Sequence, residues 1–215
     1  MIKINNALEE YILSHIGEES PLLARLFRET HLKTVNGRMC SGHLQGSLLT
    51  LLSKLVKPSK ILEIGTYTGY SALCLANGLS DNGILHTIEI NDELELLAAS
   101  FFEESGMRDR IIQHIGDADD IIPQLNEKFD LVFIDADKRK YLSNYNLLFP
   151  KVAMGGVIIA DNTLWAGKVV QKVAANDDQT IGIMQFNDFV KTDPRVETFM
   201  IPIRDGMTVL RKISE

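Results

Sequence analysis

The sequence predicts an α/β fold, and three observations carry that prediction. Short apolar runs recur at residues 61–64, 84–90, 110–115, 129–134 and 157–160, each the length of a buried strand. Stretches of helical period separate them, and such alternation builds a parallel sheet with helices on both faces. The last two runs, 196–203 and 207–213, are joined by the tight turn Arg204-Asp205-Gly206, a hairpin signal that makes the final pair antiparallel. The sum is a Rossmann-like, seven-stranded, mostly parallel sheet with an antiparallel terminal hairpin and an N-terminal helical cover.

At 215 residues the chain is most simply one domain, with a helical extension over 1–35 and a core over 36–215. Apolar residues make up 45% and charged residues 24%, ordinary for a globular protein. A net charge of −7 argues against a broad nucleic-acid surface, which needs clustered Lys and Arg, but leaves room for a local basic patch. Cys40 and Cys74 are too few for a disulfide framework or a zinc site and suit a reducing cytoplasm. No stretch has the apolar length of a signal peptide or a membrane span. The expectation is a cytoplasmic protein of enzyme size with no membrane partner.

In chain order, Ile4, Leu8, Tyr11, Ile12 and Ile16 fall on one helical face, and Leu22, Leu23, Leu26 and Phe27 repeat the pattern after Pro21. These two helices read equally as a cover on the core and as a cap over the active site or a dimer surface. A glycine-punctuated loop, 36–42, leads to a helix carrying Leu44, Leu48, Leu51, Leu52 and Leu55, closed by Pro58. The strand at 61–64 then stops at Gly65, and Gly69 precedes a helix over 71–79. In an open α/β sheet this turn lies where ligands bind, and glycine lets backbone approach the ligand. The spacing departs from G-x-G-x-x-G because Tyr67 stands at the second glycine, and no Lys-Ser/Thr ending follows. The expected ligand therefore has no pyrophosphate. Glu63, one residue before the end of a buried strand, is costly to bury unless it meets a cation or hydrogen-bond donors. A sulfonium nucleoside with an amino-acid tail supplies both.

Glu89 ends the strand at 84–90, 24 residues after Gly65. That position suits the two ribose hydroxyls of a nucleoside, and equally an N-cap of the helix over 91–106. His86, inside the strand, reads as a packed histidine. At the end of the third strand, Asp117 and the backbone of Ala118 are candidates for an adenine amino group. A short helix over 119–126 follows, and the strand 129–134 ends at Asp135-Ala136-Asp137-Lys138. After a helix over 141–149, the strand 157–160 ends at Asp161-Asn162. Asp135, Asp161 and Asn162 are three hard oxygen donors on the rim that carries Gly65, a set that Mg²⁺ accepts. Helix capping is the competing reading of the same residues. Residues 163–180, with Trp165, Gly167 and Lys168, read as a mobile loop over the rim where substrate is selected. A helix over 179–192 leads to the hairpin.

The turn Glu63-x-Gly65-x-x-x-Gly69 resembles the first motif of S-adenosylmethionine-dependent methyltransferases, and the strand pattern is similar to their class I architecture. Phe133-Ile134-Asp135-Ala136-Asp137-Lys138 together with Asp161-Asn162-Thr163-Leu164-Trp165-Ala166-Gly167 resembles the cation-dependent O-methyltransferases of the caffeoyl-coenzyme A and catechol type. The likeness spans about residues 36–212. It implies methyl transfer to a hydroxyl of a small phenolic or catechol-like acceptor. It also implies a divalent cation on Asp135, Asp161 and Asn162, Mg²⁺ first, with Mn²⁺ or Ca²⁺ as alternatives. Lys138 would stand beside the reacting hydroxyl as proton acceptor. Met39, Ser41, Glu63, Gly65, Ser71, Glu89, Ala118, Asp135 and Asp137 match cofactor-contacting positions, with Glu63 near the methionine end and Glu89 at the ribose. The family is commonly homodimeric. One departure is Met200-Ile201-Pro202-Ile203, which lacks the acidic substrate contact of the animal catechol enzymes and puts catechol itself in doubt. Two other functions fit parts of the pattern. Some bacterial members methylate a wobble 5-hydroxyuridine of tRNA, and Lys138, Arg139, Lys140, Lys168 and Lys172 would form a basic lip for it. A non-catalytic nucleoside-binding regulatory module is the other, and the intact Lys138 and oxygen triad argue against it.

Overall fold

The computed structural model describes residues 6–215, so the N-terminal helix is described only from Asn6 onward and the assignment of Ile4 lies outside it. Helices α1 (Asn6–Leu13), α2 (Pro21–Lys33) and α3 (Gly42–Val56) precede the first strand. Then β1 (Lys60–Ile64), α4 (Tyr70–Ala76), β2 (Ile84–Glu89), α5 (Glu95–Glu104), β3 (Ile111–Ile115), α6 (Ala118–Gln124) and β4 (Phe129–Ile134) alternate. The chain closes with α7 (Tyr141–Leu148), β5 (Val152–Asp161), α8 (Asp178–Thr192), β6 (Val196–Ile201) and β7 (Met207–Lys212). The sheet order is β3-β2-β1-β4-β5-β7-β6, parallel except that β7 runs antiparallel to both neighbours.

Strands buried on both faces divide their side chains by period two. Leu62, Ile64, Val132, Ile134 and Ile158 face the core under α6, α7 and α8, where Tyr141, Tyr145 and Phe186 fill the interior. Ile61, Leu131, Phe133 and Ile159 face the other core, with Leu26, Leu49, Leu73 and Phe102. Leu26 places α2 on that second core. The same helix reaches the glycine turn, through Thr30 Oγ1 to Thr68 Oγ1 at 2.8 Å and Thr34 Oγ1 to the Tyr67 hydroxyl at 2.5 Å. The N-terminal cover thus also braces the site.

Four boundaries differ from expectation, each for a local reason. β5 begins at Val152 and passes through Gly155 and Gly156, where its register on β4 shifts between Phe129 and Leu131. Glycines at such an irregularity lower the strand signal, which is why only the stretch after them is legible. β6 ends at Ile201 because Pro202 has no N–H to offer the ladder. The helix expected over 91–106 opens with a 3₁₀ turn, Asp92–Leu94. Within 163–180 a 3₁₀ segment, Trp165–Val170, replaces an irregular loop, interrupted at Ala166 and Gly167 by left-handed backbone. Among the described residues no helix is long and apolar enough to cross a membrane.

Candidate active site

Register assembles the site. Ile64 pairs with Ile134, and Ile134 with Ala160, so Gly65, Asp135 and Asp161 follow side by side at the carboxyl ends of β1, β4 and β5. Ile64 also pairs with Ile88, which brings Glu89 to the same rim. The chain leaves β1 toward β2 on one side and lies against β4 on the other, the switch point where open α/β sheets bind ligands. Gly65 has φ +102°, and a Cβ there would lie 2.0 Å from the Asp135 carbonyl oxygen. Only glycine lets the ends of β1 and β4 close to this distance.

A cleft opens at this turn, and Met39, Ser41, Gly65, Ser71 and Asp135 all contribute to its wall. All five are positions expected to touch the cofactor. Glu63 is fully buried beside it, beneath Ser71. Its Oε2 accepts from the Thr87 hydroxyl at 2.6 Å, while Oε1 has no partner. Burial drives its carboxyl up to about 8, against the opposing pull of the Ser71 and Thr87 hydroxyls. A buried acceptor left open beside a cleft fits a ligand that brings a donor or a positive charge.

Glu89, Asp117, Ala118 and Asp137 do not contribute to that wall. Glu89 accepts from the Tyr67 N–H at 2.7 Å through Oε2 and from the Asn91 N–H at 2.9 Å through Oε1. Its carboxylate therefore ties the glycine turn to the chain after β2, and an ionised carboxylate keeps acceptor capacity beyond these two bonds. Asp117 caps α6 by accepting from the Asp119 N–H at 3.0 Å, and Lys140 holds it at 2.9 Å. Hydrogen bonding to Lys140 first, then to the Asp119 N–H, keeps its carboxyl below the usual range. Asp137 caps the turn Lys138–Lys140 and pairs with Arg139, whose Nε lies 2.9 Å away.

On the other side of Gly65 the oxygen donors meet a lysine. Lys138 is buried, with Nζ 2.6 Å from Asp135 Oδ1 and 2.9 Å from the Tyr141 hydroxyl. Burial acts to lower its pKa, but the charges of Asp135 and Tyr141 and the hydrogen bonds to both outweigh it and hold the ammonium charged. In this geometry Asp135 faces the lysine at contact distance, and the pair holds the proton on Lys138. The Tyr141 hydroxyl is shared between the carbonyls of Ile134 at 3.2 Å and Asp161 at 3.0 Å, so it clasps the ends of β4 and β5.

Asp161 is 4% exposed; its Oδ1 accepts from the Asn162 N–H at 2.8 Å and its Oδ2 from Gln45 Nε2 at 2.6 Å. Burial, and then the charge of Asp135, push its carboxyl upward. Asn162 turns the chain off β5 at φ +56°, a region that Asn tolerates better than most residues. Trp165 lies with its ring centre 5.9 Å from Lys138 Nζ, and its buried indole N–H has no partner. Among the described residues no group of three or more His, Cys, Asp and Glu is placed to hold a metal ion, so the expected cation set depends on the Asn162 amide as its third donor.

Part of the expected set converges in two groups, Met39, Ser41, Gly65, Ser71 and Asp135 at a cleft beside β1 and Asp135, Lys138 and Asp161 beside β4 and β5, while Glu89, Asp117, Ala118 and Asp137 stay outside the cleft wall. Sequence reasoning missed Gln45, Tyr141 and Arg204. Gln45 left one trace, a polar side chain among the leucines of α3. Tyr141 left another, since it follows Lys138 at the three-residue spacing that makes them neighbours.

The strand order, the switch-point cleft and the carboxylates on its rim define a class I methyltransferase fold. The chain belongs to the O-methyltransferase family, whose model matches residues 13–213. A caffeoyl-CoA O-methyltransferase of Eucalyptus gunnii is 34% identical over 97% of this chain and 88% of its own length. The O-methyltransferase TomG from Streptomyces achromogenes, involved in tomaymycin synthesis and solved in complex with SAM, superposes with a TM-score of 0.91 at 29% identity, over 97% of each chain. An O-methyltransferase from Bacillus cereus in complex with SAH superposes at 0.88 with 28% identity, over 96% of this chain and 97% of that one.

Proposed function

We propose that this enzyme transfers the methyl group of S-adenosylmethionine to a hydroxyl of a small phenolic or catechol-like acceptor, with a divalent cation on Asp135, Asp161 and Asn162. The observation that carries the reading is the shared rim, where the cleft at Gly65 and the cluster at Asp135, Lys138 and Asp161 are joined through Asp135 itself. Glu63 offers its open oxygen to the amino-acid tail of the cofactor, and Glu89 has acceptor capacity for the ribose hydroxyls. Asp117 and Ala118 stand at the next strand end for the adenine. The donor set fits a hard cation, because burial and then the charge of Asp135 disfavour the ionised form of Asp161, and positive charge between the two carboxylates would offset both. Bound there, Mg²⁺ or a similar ion supplies Lewis-acid stabilisation to the acceptor oxygen.

The acceptor oxygen forms its bond to the methyl carbon as the carbon–sulfur bond breaks, leaving S-adenosylhomocysteine. Lys138 would take the hydroxyl proton as the neutral amine, after a loosened pairing with Asp135 lets its ammonium release a proton to solvent. Tyr141 keeps Lys138 in place. Positioning of the two reactants is worth on the order of 7 to 11 kcal/mol in well-oriented systems, so no covalent step by the protein is needed. The two buried, unpaired cysteines suit a cytoplasmic location, and the family resemblance supports a homodimer.

The RNA reading is weakened by pairing. Lys138 faces Asp135, Arg139 faces Asp137, Lys140 faces Asp117 and Asp119, and Lys168 faces Asp177, so four of the five cations of the expected lip are already matched. The test is transfer of labelled methyl from S-adenosylmethionine to a panel of vicinal phenols and to hypomodified tRNA, with and without chelator. Label on a phenol, lost with chelator and restored by Mg²⁺ or Mn²⁺, is the expected result. Full turnover of the acceptor under chelation would reduce the oxygen triad to helix caps, and label on tRNA alone would redirect the assignment.

A further inference from the structure

Gln45 is 1% exposed, yet both ends of its carboxamide are engaged. Nε2 donates to Asp161 Oδ2 at 2.6 Å, and Oε1 accepts from Arg204 Nη1 at 3.0 Å. An arginine can only donate and an ionised carboxylate can only accept, so the amide has one possible orientation between them. The same Nη1 reaches the carbonyls of Ser41 and Cys40, two residues of the cleft wall.

Arg204 is itself held from behind. It sits at φ +47° in the β6–β7 turn, and that turn is bonded to the backbone immediately after Asn162. The Thr163 N–H donates to the Gly206 carbonyl at 3.0 Å, and the Leu164 and Trp165 N–H groups donate to the Asp205 carbonyl at 2.7 and 3.2 Å. The contacts close a ring, from Asp161 along the backbone to Leu164, across to Asp205, through Arg204 and Gln45, and back to the Asp161 carboxylate. Neither Gln45 nor Arg204 belongs to the oxygen triad or to the expected cofactor positions.

We infer that Gln45 and Arg204 are positioning residues that orient the Asp161 carboxylate for a divalent cation and tie it to the cleft wall at residues 40–41. The inference rests on the cation reading proposed above. Asp161 Oδ1 is fixed by the Asn162 N–H and Oδ2 by Gln45, and each oxygen retains a lone pair for a metal ion. Without Gln45 only the Asn162 N–H would hold the carboxylate, and outer partners of metal ligands typically change affinity by about 10- to 100-fold when removed.

The test is direct Mn²⁺ binding to the full chain, read from the electron paramagnetic resonance of the free ion, in wild type, D161N, Q45M, R204M and the double variant. Methionine keeps the volume of glutamine and removes its donor. Q45M is expected to weaken Mn²⁺ by about 10- to 100-fold, while S-adenosylhomocysteine affinity by calorimetry changes by less than about threefold, a split that general loss of structure would not produce. R204M alters an exposed side chain and carries the test even if Q45M folds poorly. It should weaken Mn²⁺ less than Q45M does, and add nothing in the Q45M background because both act through one bond. Mn²⁺ affinity unchanged in folded Q45M, or strictly additive losses in the double variant, would overturn the inference. If wild type and D161N bind Mn²⁺ alike, it is the cation reading that fails, and the inference falls with it.

Discussion

Lys138 and Asp135 stand three residues apart at the end of β4, and their 2.6 Å contact sets what the lysine can do. An ammonium against a carboxylate is not a base. In the reaction proposed above it would become one only when something else claims the carboxylate, which would link Asp135 to proton transfer. Lys138→Met keeps most of the stem and removes the amine. It should lower kcat by roughly 10² to 10⁴ with cofactor affinity nearly intact, the usual size of a general-base contribution. Near-normal kcat at neutral pH would hand the proton to solvent. Lys138 was legible from its place in Asp135-Ala136-Asp137-Lys138, since a strand end followed by acids and a lysine is a local pattern. Gln45 and Arg204 were not, because their bonds join residues 116 and 159 positions apart and no window of sequence contains both partners.

At the scale of elements, the strand ends were the legible features. A buried parallel strand shows itself as an apolar run, and the residue that terminates it is glycine, Asp or Asn because the chain must turn there. Gly65 carries the most geometric weight of these. An alanine at φ +102° is strained, and its Cβ would meet the Asp135 carbonyl at 2.0 Å, a backbone atom that cannot swing aside. The ends of β1 and β4 would have to part, opening the Asp135 N–H bond to the Ile64 carbonyl, now 2.9 Å. Gly65→Ala should therefore lose on the order of 2 to 4 kcal/mol in urea unfolding and bind S-adenosylhomocysteine poorly even where it folds. A loss below about 0.5 kcal/mol, the range of neutral surface changes, would show that the strands part easily and that the close approach is incidental. The start of β5 escaped sequence reading for the opposite reason. Gly155 and Gly156 serve a register shift inside a strand, where glycine signals a break rather than a continuation.

For the molecule as a whole, the site is a source of instability that pH exposes. Burial penalises the charge of Glu63 and pushes its carboxyl from an ordinary 4.5 up to about 8 in the folded chain. Between those values the folded state holds a proton that the unfolded state has released, so stability falls as pH rises through this window. The contribution is present in full below about 4.5 and lost once pH passes about 8. Asp161, also raised by burial, acts in the same direction. Asp193 acts in the opposite sense, since its hydrogen bond with Arg195 lowers its carboxyl to about 2, and the stability this contributes is lost only as pH falls through that value. Ligand-free enzyme should thus be less stable at pH 8.5 than at pH 5.5, by an amount on the order of a few kcal/mol from Glu63 alone. Glu63→Gln keeps the shape, cannot ionise, and should remove most of that slope. The measurement is urea unfolding of both proteins, free of ligand, across pH 5.5 to 8.5. Parallel stability profiles for the two would mean that Glu63 is solvated or paired in the free enzyme, and that its open oxygen is not waiting for the cofactor tail.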